Sequence, residues 1–427
     1  MTISNPNVPS APVTPINLKP TYSLSTVAVH GDDTLASATD VAPALHVSTT
    51  FRYPSDPSRL IPESEATTQR SPEGPVQGDT HVYSRHTAPN SSRLELSLSR
   101  VVGGPVLTYS SGLAAFYSLM VYLNPKVVAI GAGYHGCHGV LNLIKKLTGC
   151  KIVDLFDEGA WEGLGKGDVV HLETPVNPTG EAYDLSHFAN LAHKRGAYLT
   201  VDATFGPPPL QNPFKHGADF VMHSGTKYFG GHSDLLCGVI AISKLREGWE
   251  QHFWHMLQER ECLGNVMGNL EAWLGVRSVR TLDLRVKKQS ETATRLVGFI
   301  ASALGVSTEG EKPSEEDAAI IKSTVAKVMH ASLQVQDNPW LKDQMPNGFG
   351  PVFAFHLKTL SYAKELPSNL ELFHHATSLG GVESLIEWRA MSDNTVEKTL
   401  CRVSVGIEEF EDLKHDLLNG LKKLLGK

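Results

Sequence analysis

From about residue 90 the chain alternates two patterns: short apolar runs, and longer stretches in which apolar side chains return every three or four positions. The runs fall at Val127–Ile130, Lys151–Asp154, 168–172, 198–201 and 220–222, and helical spacing fills most of the intervals. A strand buried on both faces reads as a continuous apolar run, and parallel strands need a crossover, usually a helix, between them. The pattern therefore predicts an α/β fold, a mostly parallel sheet flanked by helices. Helices are expected at 92–102 and 113–123. Beyond Gly264 come long polar helices, notably 282–304, with strands at Val352–Leu357 and 401–405. That mixture predicts a smaller C-terminal α+β domain.

The N-terminal part is different. Residues 1–20 are rich in Pro, Ser, Thr and Asn, and 54–80 in Pro, Ser, Glu, Gln and Gly, with no apolar period in the first. A flexible arm and a long loop are expected there. The chain thus divides into an arm and loop over 1–80, a large α/β domain over 81–280 and an α+β domain over 281–427.

Composition narrows the function. The 427 residues are 41% hydrophobic and 19% charged, as in ordinary globular proteins, and the net charge of -7 argues against a nucleic-acid binder. Cys137, Cys150, Cys237, Cys262 and Cys401 are scattered, without the close spacing of a metal or redox pair. Neither a secretory leader nor a bilayer-spanning apolar run is present, so a cytoplasmic protein with reduced thiols, no membrane partner and no bound metal is expected.

The most informative segment is Met222-His223-Ser224-Gly225-Thr226-Lys227-Tyr228-Phe229-Gly230-Gly231-His232-Ser233-Asp234, which sets one lysine among hydroxyls and glycines directly after an apolar run. An amine that forms an imine must lose its proton near neutral pH, which a lysine does only when desolvated or beside other cations. Ser224 and Thr226 can hold a phosphate while Lys227 reaches an aldehyde, which points to pyridoxal 5'-phosphate (PLP). Asp202 ends the run before it, where a carboxylate can keep a pyridine nitrogen protonated; taken alone it reads better as a turn cap. Tyr109-Ser110-Ser111-Gly112-Leu113 enters a helix whose N-terminus favours an anion, although a plain cap looks the same. Tyr134, between Gly133 and His135-Gly136, can stack on a planar ring. His135 and His138 lack the further ligands that a zinc site needs. In Glu173-Thr174-Pro175-Val176-Asn177-Pro178 the prolines stiffen a loop that presents the Asn177 amide. Tyr83 and Arg85 suit a phosphate, and Arg402 suits either an amino-acid carboxylate or a structural ion pair.

Together, from about Tyr83 to Gly406, these segments resemble the cystathionine γ-synthase (Cys/Met metabolism) family of fold-type I PLP-dependent enzymes. The resemblance implies that Lys227 binds the cofactor and then shuttles protons among substrate carbons, with Asp202 on the ring nitrogen and Tyr134 on the ring face. Ser111, Gly112, Leu113, Ser224 and Thr226 are then phosphate ligands, Asn177 and Thr204 complete the cofactor site, and Ser378, Leu379 and Arg402 take the substrate carboxylate. It implies that Tyr83 and Arg85 reach the phosphate of a neighbouring subunit, that 1–80 includes an inter-subunit loop, and that the assembly is a homotetramer, a dimer of dimers.

Departures from the family pattern lie away from the cofactor. Ala203 stands where the family commonly has Asn, Gly206-Pro207-Pro208-Pro209 is unusual, and Trp388-Arg389 replaces a His-Pro or Leu-Pro pair. The Ser-Leu-Gly-Gly-Val-Glu-Ser-Leu segment at 378–385 resembles the synthase and γ-lyase branches. The expected reaction is γ-replacement on an O-acyl-L-homoserine, such as the O-acetyl ester, by a thiol or a stabilised carbanion. The alternative is a cystathionine β- or γ-lyase that releases a keto acid and ammonia.

Overall fold

The computed structural model describes residues 19, 21–35, 40–60, 62, 81–306 and 310–426. Nearly all of the arm expected over 1–20, and most of the loop expected over 54–80, lie outside the described residues.

Helix α1 spans Leu24–His30, and α2 spans Pro89–Val102. Helix α2 starts ahead of the expected residue 92 because Pro89 occupies its first turn, where a missing N–H is harmless and the fixed φ suits a helix. There follow β1 (Val106–Tyr109), α3 (Gly112–Leu123), β2 (Val127–Ile130), α4 (His135–Thr148), β3 (Lys151–Asp154), β4 (Val169–Glu173), α5 (Leu185–Lys194), β5 (Tyr198–Asp202), β6 (Phe220–Ser224) and β7 (Gly238–Ile242). The strands form one seven-stranded sheet in the order β1, β7, β6, β5, β4, β2, β3. Only the two pairings made by β7 are antiparallel. Strands β1 and β7 go beyond those expected from sequence. The first is short and interrupted by Thr108, and the second follows β6 through a glycine-rich turn rather than a crossover helix, which is why it runs backwards.

No residue of β4, β5, β6 or β7 is exposed, in keeping with helices on both faces. Parallel strands end on the same side, so Tyr134 beyond β2, Glu173 on β4, Asp202 on β5 and Lys227 beyond β6 gather along one edge.

Helices α6 (Trp249–Leu263), α7 (Asn269–Val279) and α8 (Leu282–Ala303) come next. Helix α8 joins two cores, with Leu282 and Val286 in the core of the large sheet and Ala293, Leu296, Val297 and Ile300 in a second one. The remainder is α9 (Glu315–Thr324), β8 (Val325–Met329), α10 (Trp340–Gln344), β9 (Val352–Leu357), α11 (Leu360–Asn369), β10 (His374–His375), β11 (Leu385–Trp388), β12 (Leu400–Ser404) and α12 (Phe410–Leu424). Its strands form a smaller sheet in the order β10, β11, β12, β9, β8. The register of this sheet sets Arg402 of β12 opposite Glu387 of β11, which matters for the site.

Leu199 sits within β5 with 0% of its surface exposed. Leu199→Ala is expected to lower stability by about 2–5 kcal/mol through lost burial and an unfilled cavity. Chemical denaturation measures this directly, and an unchanged midpoint would contradict the packing described.

Candidate active site

A cavity of about 440 Å³ opens at the carboxyl edge of the large sheet, against the small sheet. Ser111, Gly112, Leu113, Tyr134, Asn177, Asp202, Thr204, Ser224, Thr226, Lys227, Ser378, Leu379 and Arg402 all line it. Tyr83 and Arg85 do not; both are exposed, and the Arg85 guanidinium lies over the Tyr83 ring at 5.4 Å.

Lys227 follows β6 in a tight turn whose backbone closes from Lys227 N to Ser224 O at 3.1 Å. Its Nζ donates to Ser378 Oγ at 2.7 Å, tying the large sheet's edge to the loop before β11. That loop approaches closely because of Gly380, which has φ +84, and where a Cβ would lie 2.9 Å from the Lys227 carbonyl carbon. Burial pushes the Lys227 ammonium down to about 8, helped by the nearby Arg402 and Arg389 cations and opposed by Glu387. An amine in that state is neutral in a substantial fraction of molecules near physiological pH.

Two carboxylates, partly buried Glu173 and buried Asp202, stand side by side, because β4 and β5 pair these residues. Asp202 accepts from Thr204 N at 2.9 Å and Thr204 Oγ1 at 2.5 Å, while Thr204 Oγ1 accepts from Ser224 N at 2.9 Å. Strands β5 and β6 are thereby locked together at their ends. Glu173 accepts from Tyr134 N at 2.7 Å and from Asn177 N at 2.6 Å, so one carboxylate positions both the aromatic and the amide of the site. Gly133, with φ +155, makes room: a Cβ there would lie 2.4 Å from Glu173 Oε2. Burial raises the pKa of both acids, and the proximity of Asp202 adds to the rise at Glu173. Glu173 was not among the expected site residues, although its place at the end of an apolar strand is the same signal that marked Asp202.

At one end of the cavity, Ser111 caps α3 by accepting from Ala114 N at 3.1 Å. The first-turn N–H groups of that helix have no intrahelical acceptor and suit an anion. A Cβ on Gly112 would come within 3.0 Å of Ser224 Cβ, so the glycine keeps this corner open.

At the other end, Arg402 makes the ion pair that was one of its two expected roles. Its Nη2 donates to Glu387 Oε2 at 2.7 Å and to the Ser378 carbonyl at 2.9 Å, and its Nη1 donates to Asn177 Oδ1 at 3.0 Å. Burial draws it down to about 10, which leaves it cationic at neutral pH. Arg389 also lines the cavity, donating from Nη1 to the same Glu387 Oε2 at 3.1 Å and to Ser392 Oγ at 2.8 Å. Trp388, its neighbour, turns away; the indole Nε1 donates to the Lys398 carbonyl at 2.8 Å, and the side chain packs on the second core. The Trp388-Arg389 departure therefore changes one wall residue of the cavity.

A lysine whose proton is loosened by burial lies in one cavity with a strand-end aspartate, a helix N-terminus and a buried arginine, the chemistry that an aldehyde cofactor bearing a phosphate requires. The chain belongs to the family of Cys/Met metabolism PLP-dependent enzymes, whose model matches residues 25–422. It is 29% identical over 388 residues to cystathionine gamma-lyase of Bacillus subtilis (strain 168), covering 85% of this chain and 94% of that one. It is 30% identical over 408 residues to cystathionine gamma-synthase of Escherichia coli (strain K12), covering 90% and 93%. Cystathionine gamma-lyase from yeast has a similar structure, with a TM-score of 0.79 at 27% identity, covering 96% of this chain and all of that one. PLP is the cofactor, and the open corner at Gly112, the neutralisable Lys227 and the buried Asp202 fit its phosphate, aldehyde and ring nitrogen. Among the described residues, no group of three His, Cys, Asp or Glu side chains could hold a metal ion, and no helix is long and apolar enough to cross a membrane.

Two outcomes test the site. In protein stripped of cofactor, capture of PLP should accelerate with rising pH around a midpoint near 8, because the amine is protonated below that value and free above it. A midpoint near the ordinary lysine value of 10.5 would show that the cavity does not desolvate Lys227. Glu173→Ala leaves two N–H groups without their acceptor, at about 1–3 kcal/mol for each one that stays buried. PLP affinity measured by equilibrium dialysis should fall by roughly tenfold or more.

Proposed function

We propose that the protein catalyses γ-replacement on an O-acyl-L-homoserine such as O-acetyl-L-homoserine, joining the aminobutyrate unit to a thiol or to a stabilised carbanion. The observation that carries this reading is the far wall of the cavity, where Arg389 and Ser392 supply polar groups beyond the substrate carboxylate site and give a second reactant something to bind.

PLP, when bound, makes the substrate α-carbon acidic by drawing its electrons into the ring. Asp202 would hold the ring nitrogen, Tyr134 would pack on the ring, Asn177 and Thr204 would complete the ring site, and Ser111, Gly112, Leu113, Ser224 and Thr226 would hold the phosphate. Arg402, with the Ser378-Leu379 backbone, orients the substrate carboxylate. The Lys227 amine would take a proton from Cα, hand it on within the site, and take a second from Cβ. The acyloxy group would leave Cγ as a carboxylate with its bonding pair, the thiol or carbon acid would lose its proton to that carboxylate as its own pair goes to Cγ, and Lys227 would return one proton to Cβ and another to Cα. Ser378 Oγ, 2.7 Å from Nζ, steadies the amine between these positions.

Lyases and synthases match the chain at similar identity, so cleavage of cystathionine to a keto acid and ammonia is the second reading. The exposure of Tyr83 and Arg85 outside their own chain's cavity, and of Val41, Val47 and Tyr53 nearby in sequence, supports a dimer in which this region serves the partner's phosphate, and a tetramer built from two such dimers. Free thiols at all five cysteines support a cytoplasmic setting.

Purified protein given O-acetyl-L-homoserine and a thiol should yield the thioether amino acid. Keto acid and ammonia from cystathionine, with no replacement product, would establish the lyase instead. Lys227→Ala should abolish both the imine absorbance and turnover.

A further inference from the structure

We propose that Arg389 forms a receptor for a second carboxylate in the reaction cavity, carried either by the acyl arm of the donor or by the acceptor. The inference deepens the γ-replacement reading and rests on it for the identity of the carrier.

Arg389 is only 2% exposed. Nη1 is engaged by Glu387 and Ser392, but Nε and Nη2 make no hydrogen bond. Asp393 Oδ2 lies 3.6 Å from Nη2, beyond hydrogen-bond reach, while Asp393 Oδ1 accepts from Thr395 N at 2.9 Å and Thr395 Oγ1 at 2.6 Å. Buried donors without acceptors are unfavourable and uncommon in proteins unless a ligand or water completes them. Nε and Nη2 form one edge of the planar guanidinium, the arrangement that matches both oxygens of a carboxylate. Both atoms are shielded and Nη2 faces the Asp393 carboxylate, so a ligand reaches this edge by a turn of the side chain that breaks no hydrogen bond on it but draws Nη2 from its ion pair.

The position is also suitable. Arg389 Nη1 and Arg402 Nη2 both donate to Glu387 Oε2, so these two nitrogens are no farther apart than the sum of 3.1 Å and 2.7 Å. A small molecule with two carboxylates can therefore engage both arginines. Ser392 Oγ donates to Glu387 Oε1 at 2.5 Å and accepts from Arg389 Nη1 at 2.8 Å, so it holds the guanidinium in place rather than offering a proton to a ligand.

The test uses holoenzyme and two probes that have no amine to react with PLP, butyrate with one carboxylate and glutarate with two, compared by titration calorimetry at fixed ionic strength. Wild type is expected to bind glutarate at least tenfold more tightly than butyrate, and Arg389→Met to bring the ratio close to one. No preference in the wild type, or a preference that survives in folded Arg389→Met, overturns the proposal. If Arg389→Met does not retain its imine band, Arg389→Lys takes its place; it keeps the charge but loses the fork, so the ratio should fall at least threefold, and an unchanged ratio overturns the proposal. Kinetics then identify the carrier. Loss in the variant of discrimination between O-succinyl- and O-acetyl-L-homoserine assigns the carboxylate to the donor, and loss of discrimination between cysteine and cysteamine assigns it to the acceptor. If no replacement product forms with any pair while the glutarate preference depends on Arg389, the γ-replacement reading fails and the receptor stands.

Discussion

Lys227 occupies a cavity in which water is scarce and two guanidinium groups are close, and together these push its ammonium down to about 8. The site must bind anions, a phosphate at one end and a carboxylate at the other, and still contain a neutral amine. Cations meet both needs, since they attract the anions and disfavour a further positive charge. Glu387 moderates them, pairing with Arg402 and Arg389 so that the guanidinium groups do not simply repel each other in a buried place. The architecture follows from this balance. The large sheet brings Lys227 to its carboxyl edge, the small sheet brings the arginines, and the hydrogen bond from Lys227 to Ser378 holds the two together.

Glu173 and Asp202 show the same economy with the opposite charge. Adjacent parallel strands leave their carboxylates as neighbours, and desolvation raises the pKa of both. The bonds from Tyr134 N and Asn177 N favour the ionised form of Glu173, as those from Thr204 do for Asp202. A cationic ring nitrogen against Asp202 would favour it further, so the floor of the site is made for a positively charged ring.

How far the sequence discloses this depends on where each residue gets its role. Strands β2, β4, β5 and β6 are legible because buried parallel strands read as apolar runs, and the edge strand β3 because Ile152-Val153 follows a helix, whereas β7 follows no helix and so carries no crossover signature. Lys227 and Asp202 are legible because their neighbours in the chain are also their neighbours in the site. Glu173 is harder to assign because its partners are the backbone amides of Tyr134 and Asn177, which no side-chain pattern announces. Glu387 acquires its role only when the small sheet's register places it opposite Arg402. The joint departure at Trp388 and Arg389 can be split only by the fold, which turns one into the second core and the other into the cavity.

That division has a consequence for how the site works. Arg389 is one of the cations that disfavour the Lys227 ammonium, so a wall residue of the cavity also affects the lysine. A carboxylate docked on Arg389 would cancel part of that cationic influence and raise the proton affinity of Lys227, leaving less of the amine neutral at a given pH. Charge at the cavity wall and charge at the lysine are thus linked through the field of one guanidinium.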